Sequence, residues 1–325
     1  MRFLIRRFLF YLAAGFFAIT VNFFLPRMMV GDPVQIMFGR FQGRLDPRAY
    51  DALRAAFGFV EGESTWEQYV TYLTNLSQGD LGMSLSNFPV PVSEVISASL
   101  MWTIRLIGLA TIMAFVIGIG LGILAAWKRG KFIDNFVLPV ASILGAFPYF
   151  WIAMLALYYL AFTAGWFPIT HAYDVAIRPD WSSNKFVLSV VYHALLPMAT
   201  IVLTAFGGWM LGMRNNMIGV LAEDYIVMAQ AKGLSDWRVM LVYAARNAIL
   251  PSLTGFAMAL GFVIGGALVV EIVFAYPGIG YTLLNAVNGR DYPLMQGIFL
   301  MITLAVLVAN FIADVIYVLL DPRAR

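Results

Sequence analysis

The chain has 325 residues, of which 61% are hydrophobic and only 12% charged, and its mean hydropathy is +0.81. A soluble domain is about half apolar and about a quarter charged, so this composition excludes one and predicts a polytopic membrane protein. The absence of cysteine excludes disulfides and thiolate metal sites, and two histidines, His171 and His193, are too few for a histidine-rich site and read as core or interfacial residues; the net charge of +3 matters through where the charges sit.

Arg2, Arg6 and Arg7 precede an uncharged run over 8–26. It is too long for a signal-peptide core and lacks an A-x-A cleavage site, which predicts an uncleaved first span. Gly31-Asp32-Pro33 follows as a turn, and 34–98 is a more polar insertion. Within it Asp46 caps a predicted helix from Pro47 to Gly58, and Ser64 and Glu67 form a capping box ahead of a Trp66/Tyr69/Val70/Leu73 stripe expected to pack on the membrane domain. Gly79-Asp80-Leu81-Gly82 breaks the chain before Pro89 and Pro91 launch a helix that feeds the second span.

Further uncharged runs lie at 106–126, 136–162, 187–213, 248–270 and 294–313, each near the ~20 residues needed to cross about 30 Å of hydrocarbon. Pro139 and Pro148 punctuate the third span, Pro197 the fourth and Pro251 the start of the fifth, predicting kinks. Gly118-x-Gly120-x-Gly122, Gly208-x-x-x-Gly212 and Gly261-x-x-x-Gly265 place small residues for close helix contact. Arg105 and Asp314, near span ends, read as interfacial anchors. Six spans put both termini on one side, and 12 Lys and Arg fall in the N-terminus, 128–135, 214–247 and the tail, against 8 in the longer loops 27–98, 164–185 and 271–293. That asymmetry predicts cytoplasmic termini.

Between the fourth and fifth spans lies the segment Glu223–Pro251. Glu223 and Asp224 complement the positive end of a short helix running to Lys232, Gly233 stops it, and Ser235 is placed to cap a second helix from Asp236 that runs into the fifth span. A surface helix joined to a membrane span is what a separate motor protein would need in order to push on the membrane domain.

The wording of this segment carries a resemblance. Ala229, Ala231, Lys232, Gly233, Leu234 and Ser235 read AxAKGLS, Arg246–Pro251 read RNAILP, Glu271–Gly280 read ExVFxYPGxG, and Arg290–Pro293 read RDYP. Together with the opening GDP, these are similar to the dipeptide/oligopeptide/nickel family of ABC importer permeases over essentially the whole chain. The resemblance implies an all-α polytopic membrane protein of the type I ABC importer permease fold, with six transmembrane helices and a helical extracytoplasmic insertion after the first span. Residues 1–98 would hold the first helix and the insertion, and 99–325 a five-helix core with its coupling loop at 214–247. It implies ATPase coupling through Glu223, Asp224, Tyr225, Ala229, Ala231, Lys232, Gly233 and Ser235, with the small Ala229 and Gly233 setting how closely a partner's groove approaches. The implied partners are a second homologous permease subunit, two ABC ATPase subunits, an extracytoplasmic solute-binding protein and membrane lipid, with no nucleic acid, in the cytoplasmic (inner) membrane of a bacterium or archaeon. The family's cargo is most often di- and oligopeptides, while oligosaccharides and nickel use the same machinery. Trp66, Trp102, Trp151, Trp166 and Trp181 are compatible with sugar stacking and equally with interfacial belts.

No Gly-x-x-x-x-Gly-Lys-Ser/Thr occurs, so ATP and Mg are expected on partner subunits, the chain itself being no enzyme and holding no cofactor or metal. Gly-x-Ser-x-Gly and His-Glu-x-x-His are also missing. A secondary transporter or channel is the other class of reading; it would place ionisable groups inside the apolar runs, which hold almost none.

Overall fold

A computed structural model describes residues 2–29, 64–263 and 268–320. The expected helix from Pro47, the Gly31-Asp32-Pro33 turn and Gly265 lie outside them. In chain order the helices are α1 (Arg2–Arg27), α2 (Thr65–Ser77), α3 (Val92–Trp127), α4 (Ile133–Ala146), α5 (Tyr149–Thr163), α6 (Asn184–Leu221), α7 (Asp224–Ala231), α8 (Asp236–Ala248), α9 (Leu250–Phe262), α10 (Leu268–Val273), α11 (Ile279–Gly289) and α12 (Tyr292–Leu320). Pairing of the strand type among the described residues is confined to a bridge between Met83 and Pro91.

Among the described residues α1, α3, α6 and α12 are each long and apolar enough to cross a membrane, and α4 with α5 and α8 with α9 make six spans if each bent pair counts as one. The expected third span is not straight: α4 and α5 meet at 96°. Phe147 is extended at φ −80°, ψ 140°, a conformation that the ring of Pro148 favours by crowding the helical one at the residue before it. Pro197, by contrast, sits inside α6 without breaking it. The fifth span is also not a plain continuation of the helix before it, since α8 and α9 are bent by 54° just ahead of Pro251.

The chain forms two compact units, Met1–Trp102 with Pro277–Arg325, and Thr103–Tyr276. In the first, α1 lies along α12. Asn22 Nδ2 donates to the Gln296 carbonyl at 2.7 Å, and Tyr11 Oη donates at 2.7 Å to Asp314, which also pairs with Arg7 at 3.5 Å. These bonds tie Asp314 into the α1–α12 pair. α2 begins with both halves of the predicted Ser64/Glu67 capping box. Those bonds hold the Glu67 carboxyl below its ordinary pKa. Its buried face departs from the predicted stripe: Tyr69 and Tyr72 stack near Phe23 of α1, while Trp66 and Val70 stay exposed. Gly79 and Gly82 turn the chain at φ +76° and +79°. Asp291, fully buried, accepts from the Ser84 hydroxyl at 2.6 Å, the Ser86 amide at 2.8 Å and the Leu294 amide at 3.1 Å, capping α12 and fixing the 84–86 turn to it.

In the second unit α3 and α6 pack backbone to backbone. A Cβ on Gly118 would stand 2.6 Å from the Phe206 carbonyl oxygen, and one on Gly122 2.6 Å from that of Met210. Gly207 likewise admits Ala141 of α4. The Gly208/Gly212 pair is a correction to the expected contact, for nothing lies within 4 Å of a Cβ at either. Arg214 Nη2 donates to Asp134 Oδ2 at 3.2 Å, its Nε donates to Oδ1, and the Gly130 amide adds a bond at 2.9 Å, joining the ends of α4 and α6. Arg105 lies over the Trp181 ring at 4.1 Å, and Thr103 Oγ1 donates to fully buried Glu271 at 2.7 Å. The His193 ring bonds the Ser189 carbonyl at 2.8 Å and the His171 amide donates to the Phe274 carbonyl at 3.1 Å.

Candidate functional site

The segment after α6 folds as two short helices around one turn. α7 starts where expected, with Glu223 extended at φ −78°, ψ 144° and Asp224 in the first turn, where a carboxylate faces the positive end of the helix. It ends in a Schellman motif: the Gly233 amide donates to the Gln230 carbonyl at 2.8 Å and the Leu234 amide to that of Ala229 at 3.4 Å. Closing both bonds requires a left-handed residue between them, and Gly233 has φ +75°. Space is not the reason for glycine here, since a Cβ would meet nothing within 4 Å.

Ser235 is extended ahead of α8, as predicted, but its side chain makes no cap bond, which corrects the expected Ser235 cap. α8 contains a wide π turn over Val239–Ala245, and this winding brings Val239, Met240, Ala244 and Ala245 together on the buried side. Asn247 Nδ2 bridges the two helices, donating to Tyr225 Oη and to the Tyr243 carbonyl at 3.0 Å each.

The faces of α7 divide sharply. Ile226 and Ala229, 1% and 3% exposed, enter a core shared with Met213 and Met217 of α6 and Val239 and Met240 of α8. Ala229 is small because its own chain crowds it, a correction to the expectation that it faces a partner's groove. Val227, Met228 and Trp237 are about 60% exposed or more (59%, 60% and 66%), and Tyr225, Ala231, Lys232, Gly233 and Ser235 also lie at the surface. The structure therefore gathers the predicted residues into one elbow, with Ala229 inside it and the others outside.

Apolar side chains project from a rigid support, and among the described residues no group of three His, Cys, Asp or Glu comes together as a metal site. Sequence reasoning passed over Ile226 and the Asp134–Arg214 pair, and met Asn247 only as a letter of the RNAILP run. The Ile226/Ala229 spacing was the available signal for the inner face.

Residues 118–325, which include the whole elbow, match the family of binding-protein-dependent transport system inner membrane components. The chain is 35% identical over 327 residues to the di/tripeptide transport system permease protein of Pseudomonas aeruginosa, covering 95% of each chain. It is 32% identical over 306 residues to the oligopeptide transport system permease protein of Bacillus subtilis, covering 93% of this chain and 92% of that one. Identity to the dipeptide transport system permease protein of Escherichia coli is 31% over 326 residues, with 95% of each covered.

Proposed function

Because the chain belongs to the family of binding-protein-dependent transport system inner membrane components, we propose that it is the permease subunit of an ATP-driven peptide importer, coupled to its motor through the α7–α8 elbow. The peptide cargo follows the names of its relatives, which favour peptides over oligosaccharides or nickel. Two ATPase subunits bind and hydrolyse ATP, a second homologous permease completes the pathway, and an extracytoplasmic binding protein delivers the peptide. The basic residues of the loops orient the elbow and the termini toward the cytoplasm.

The observation that carries this reading is the two-sided α7. Its outer side presents Tyr225, Val227 and Met228 beside Trp237, with Glu223, Asp224 and Lys232 at the rim. Its inner side is keyed by Ile226 and Ala229 into α6 and α8. When the ATPase dimer closes, α7 moves with the groove that holds it. A close-packed contact transmits displacement instead of absorbing it, so α8 and α6 follow and the pathway opens outward.

The chain has no cysteine, so single cysteines report cleanly. In the assembled transporter, cysteines at Val227 and Met228 are expected to cross-link to the ATPase subunit, while one at Ile226 is not. The reverse pattern would show that the helix presents its other side and would overturn the proposal.

A further inference from the structure

The first unit holds a cleft of about 370 Å³ whose wall contains a cation without an ion-pair partner and a hydroxyl without a hydrogen-bond partner among the described residues. The cation is Arg27, the last residue of α1. Its guanidinium carbon lies over the Phe23 ring, 3.6 Å from the centroid, Nη1 donates to the Phe23 carbonyl at 3.0 Å and Nε donates to Gln68 Oε1 at 3.4 Å. A guanidinium carries five N–H donors, and no carboxylate among the described residues forms an ion pair with this one. Asp80 shares the cleft, but its Oδ1 already accepts from the Gly82 amide at 2.8 Å. The hydroxyl is that of Tyr72, which is buried and bonds to nothing among the described residues. Burial pushes its phenol above the ordinary pKa, so it remains a donor at neutral pH.

The guanidinium donors that these bonds leave over, beside the Tyr72 hydroxyl in one recess, call for an anion with several oxygens, because a buried charge and a buried hydroxyl are each costly until paired. The position of the recess identifies the source. Arg27 closes the apolar stretch Ile5–Arg27, whose most apolar 18-residue window is only 17% buried among the described residues, so it stands at the boundary of the hydrocarbon. Phe24, Trp66 and Tyr69 surround that level as an aromatic belt does. We propose that the Arg27–Tyr72 cleft binds the phosphate of a membrane phospholipid, whose acyl chains run along the exposed Phe16, Phe17 and Val21 face of α1. The lipid would act as a pin between α1 and α2.

The test uses the purified full-length chain and native mass spectrometry, titrating phosphatidylglycerol, inorganic phosphate and a dipeptide in separate arms. Tyr72→Phe is the decisive variant. The hydroxyl has no partner among the described residues, so its removal is expected to leave the lipid-free protein as stable as before. It is expected to weaken phosphatidylglycerol binding about tenfold, the loss of one hydrogen bond to a charged acceptor. Arg27→Gln is expected to weaken it at least as much, the two effects are expected not to add, and Lys185→Gln is expected to change nothing. Inorganic phosphate, lacking the acyl chains, should bind more weakly but compete. Unchanged lipid affinity in Tyr72→Phe overturns the proposal even if Arg27→Gln fails to fold. So does binding of the dipeptide without the lipid, which would assign the cleft to a soluble carboxylate.

Discussion

Gly233 offers the sharpest test of the elbow, because its environment separates two reasons for a glycine that usually come mixed. Its φ of +75° demands the left-handed region, while the space around its missing Cβ is open. The cost of a side chain is therefore torsional: about 1–2 kcal/mol for an ordinary residue such as Ala, up to about 3 kcal/mol for a β-branched one, and less for Asn, which tolerates the conformation. A penalty of one or two kcal/mol shifts a local equilibrium by about 5–30-fold, enough to open the two bonds that close the end of α7. The expected order of function is Gly, Asn, Ala, Val. In proteoliposomes carrying the complete transporter, Gly233→Val should lose peptide uptake and ligand-stimulated ATP hydrolysis together, and hydrogen exchange at the Leu234 amide should accelerate. Wild-type exchange and uptake in Gly233→Val would refute the torsional argument. Failure of Gly233→Asn with normal exchange would refute it differently, by showing that a partner occupies the space this chain leaves open.

Ala229→Trp places an indole among Met213, Met217 and Met240, and overpacking of about 1–3 kcal/mol should lower the unfolding midpoint; an unchanged midpoint would put Ala229 back on the outer face. Gly122→Ala sets a Cβ 2.6 Å from a backbone oxygen and should destabilise α3 against α6, whereas Gly212→Ala meets open space and should be neutral or gain about 0.5–1 kcal/mol from helix propensity; equal effects on denaturant unfolding would contradict the packing. Asp291→Asn turns an NH2 toward at least one of the donors it now satisfies, and leaving one unpaired costs about 1–3 kcal/mol; faster exchange at Ser86 and Leu294 is expected, and wild-type rates would remove Asp291 from its place as the pin.

What was legible in the sequence was what local chemistry decides. Charges at its start and a glycine past its end delimited α7 nearly to the residue, and the Ser64/Glu67 spacing announced a capping box that forms. Where two long-range surfaces meet, the sequence was silent. Glu271, Asp291 and Asp134 are buried carboxylates whose partners lie 168, 207 and 80 residues away, beyond any periodic window. The buried face of α7 was misread because Ala229 looks equally small from either side, and only the methionines of α6 decide which side is crowded. The π turn in α8 was hidden because a wider winding changes which residues align without changing their hydrophobicity. Pro148 and Pro197 carry the same residue type with opposite outcomes, and nothing local to either distinguishes a break from an intact helix.

The bond from Asn22 to the Gln296 carbonyl joins residues 274 apart in the chain. At about 5–20 residues per second on the ribosome, roughly 15–55 s pass between the synthesis of one and of the other. Throughout that interval α1 has already emerged as an apolar helix, yet it carries an amide that hydrocarbon cannot satisfy. α1 thus depends on a helix made much later. Until α12 is made, that amide lacks the partner it has in the folded chain, so the order of synthesis and the order of assembly run in opposite directions.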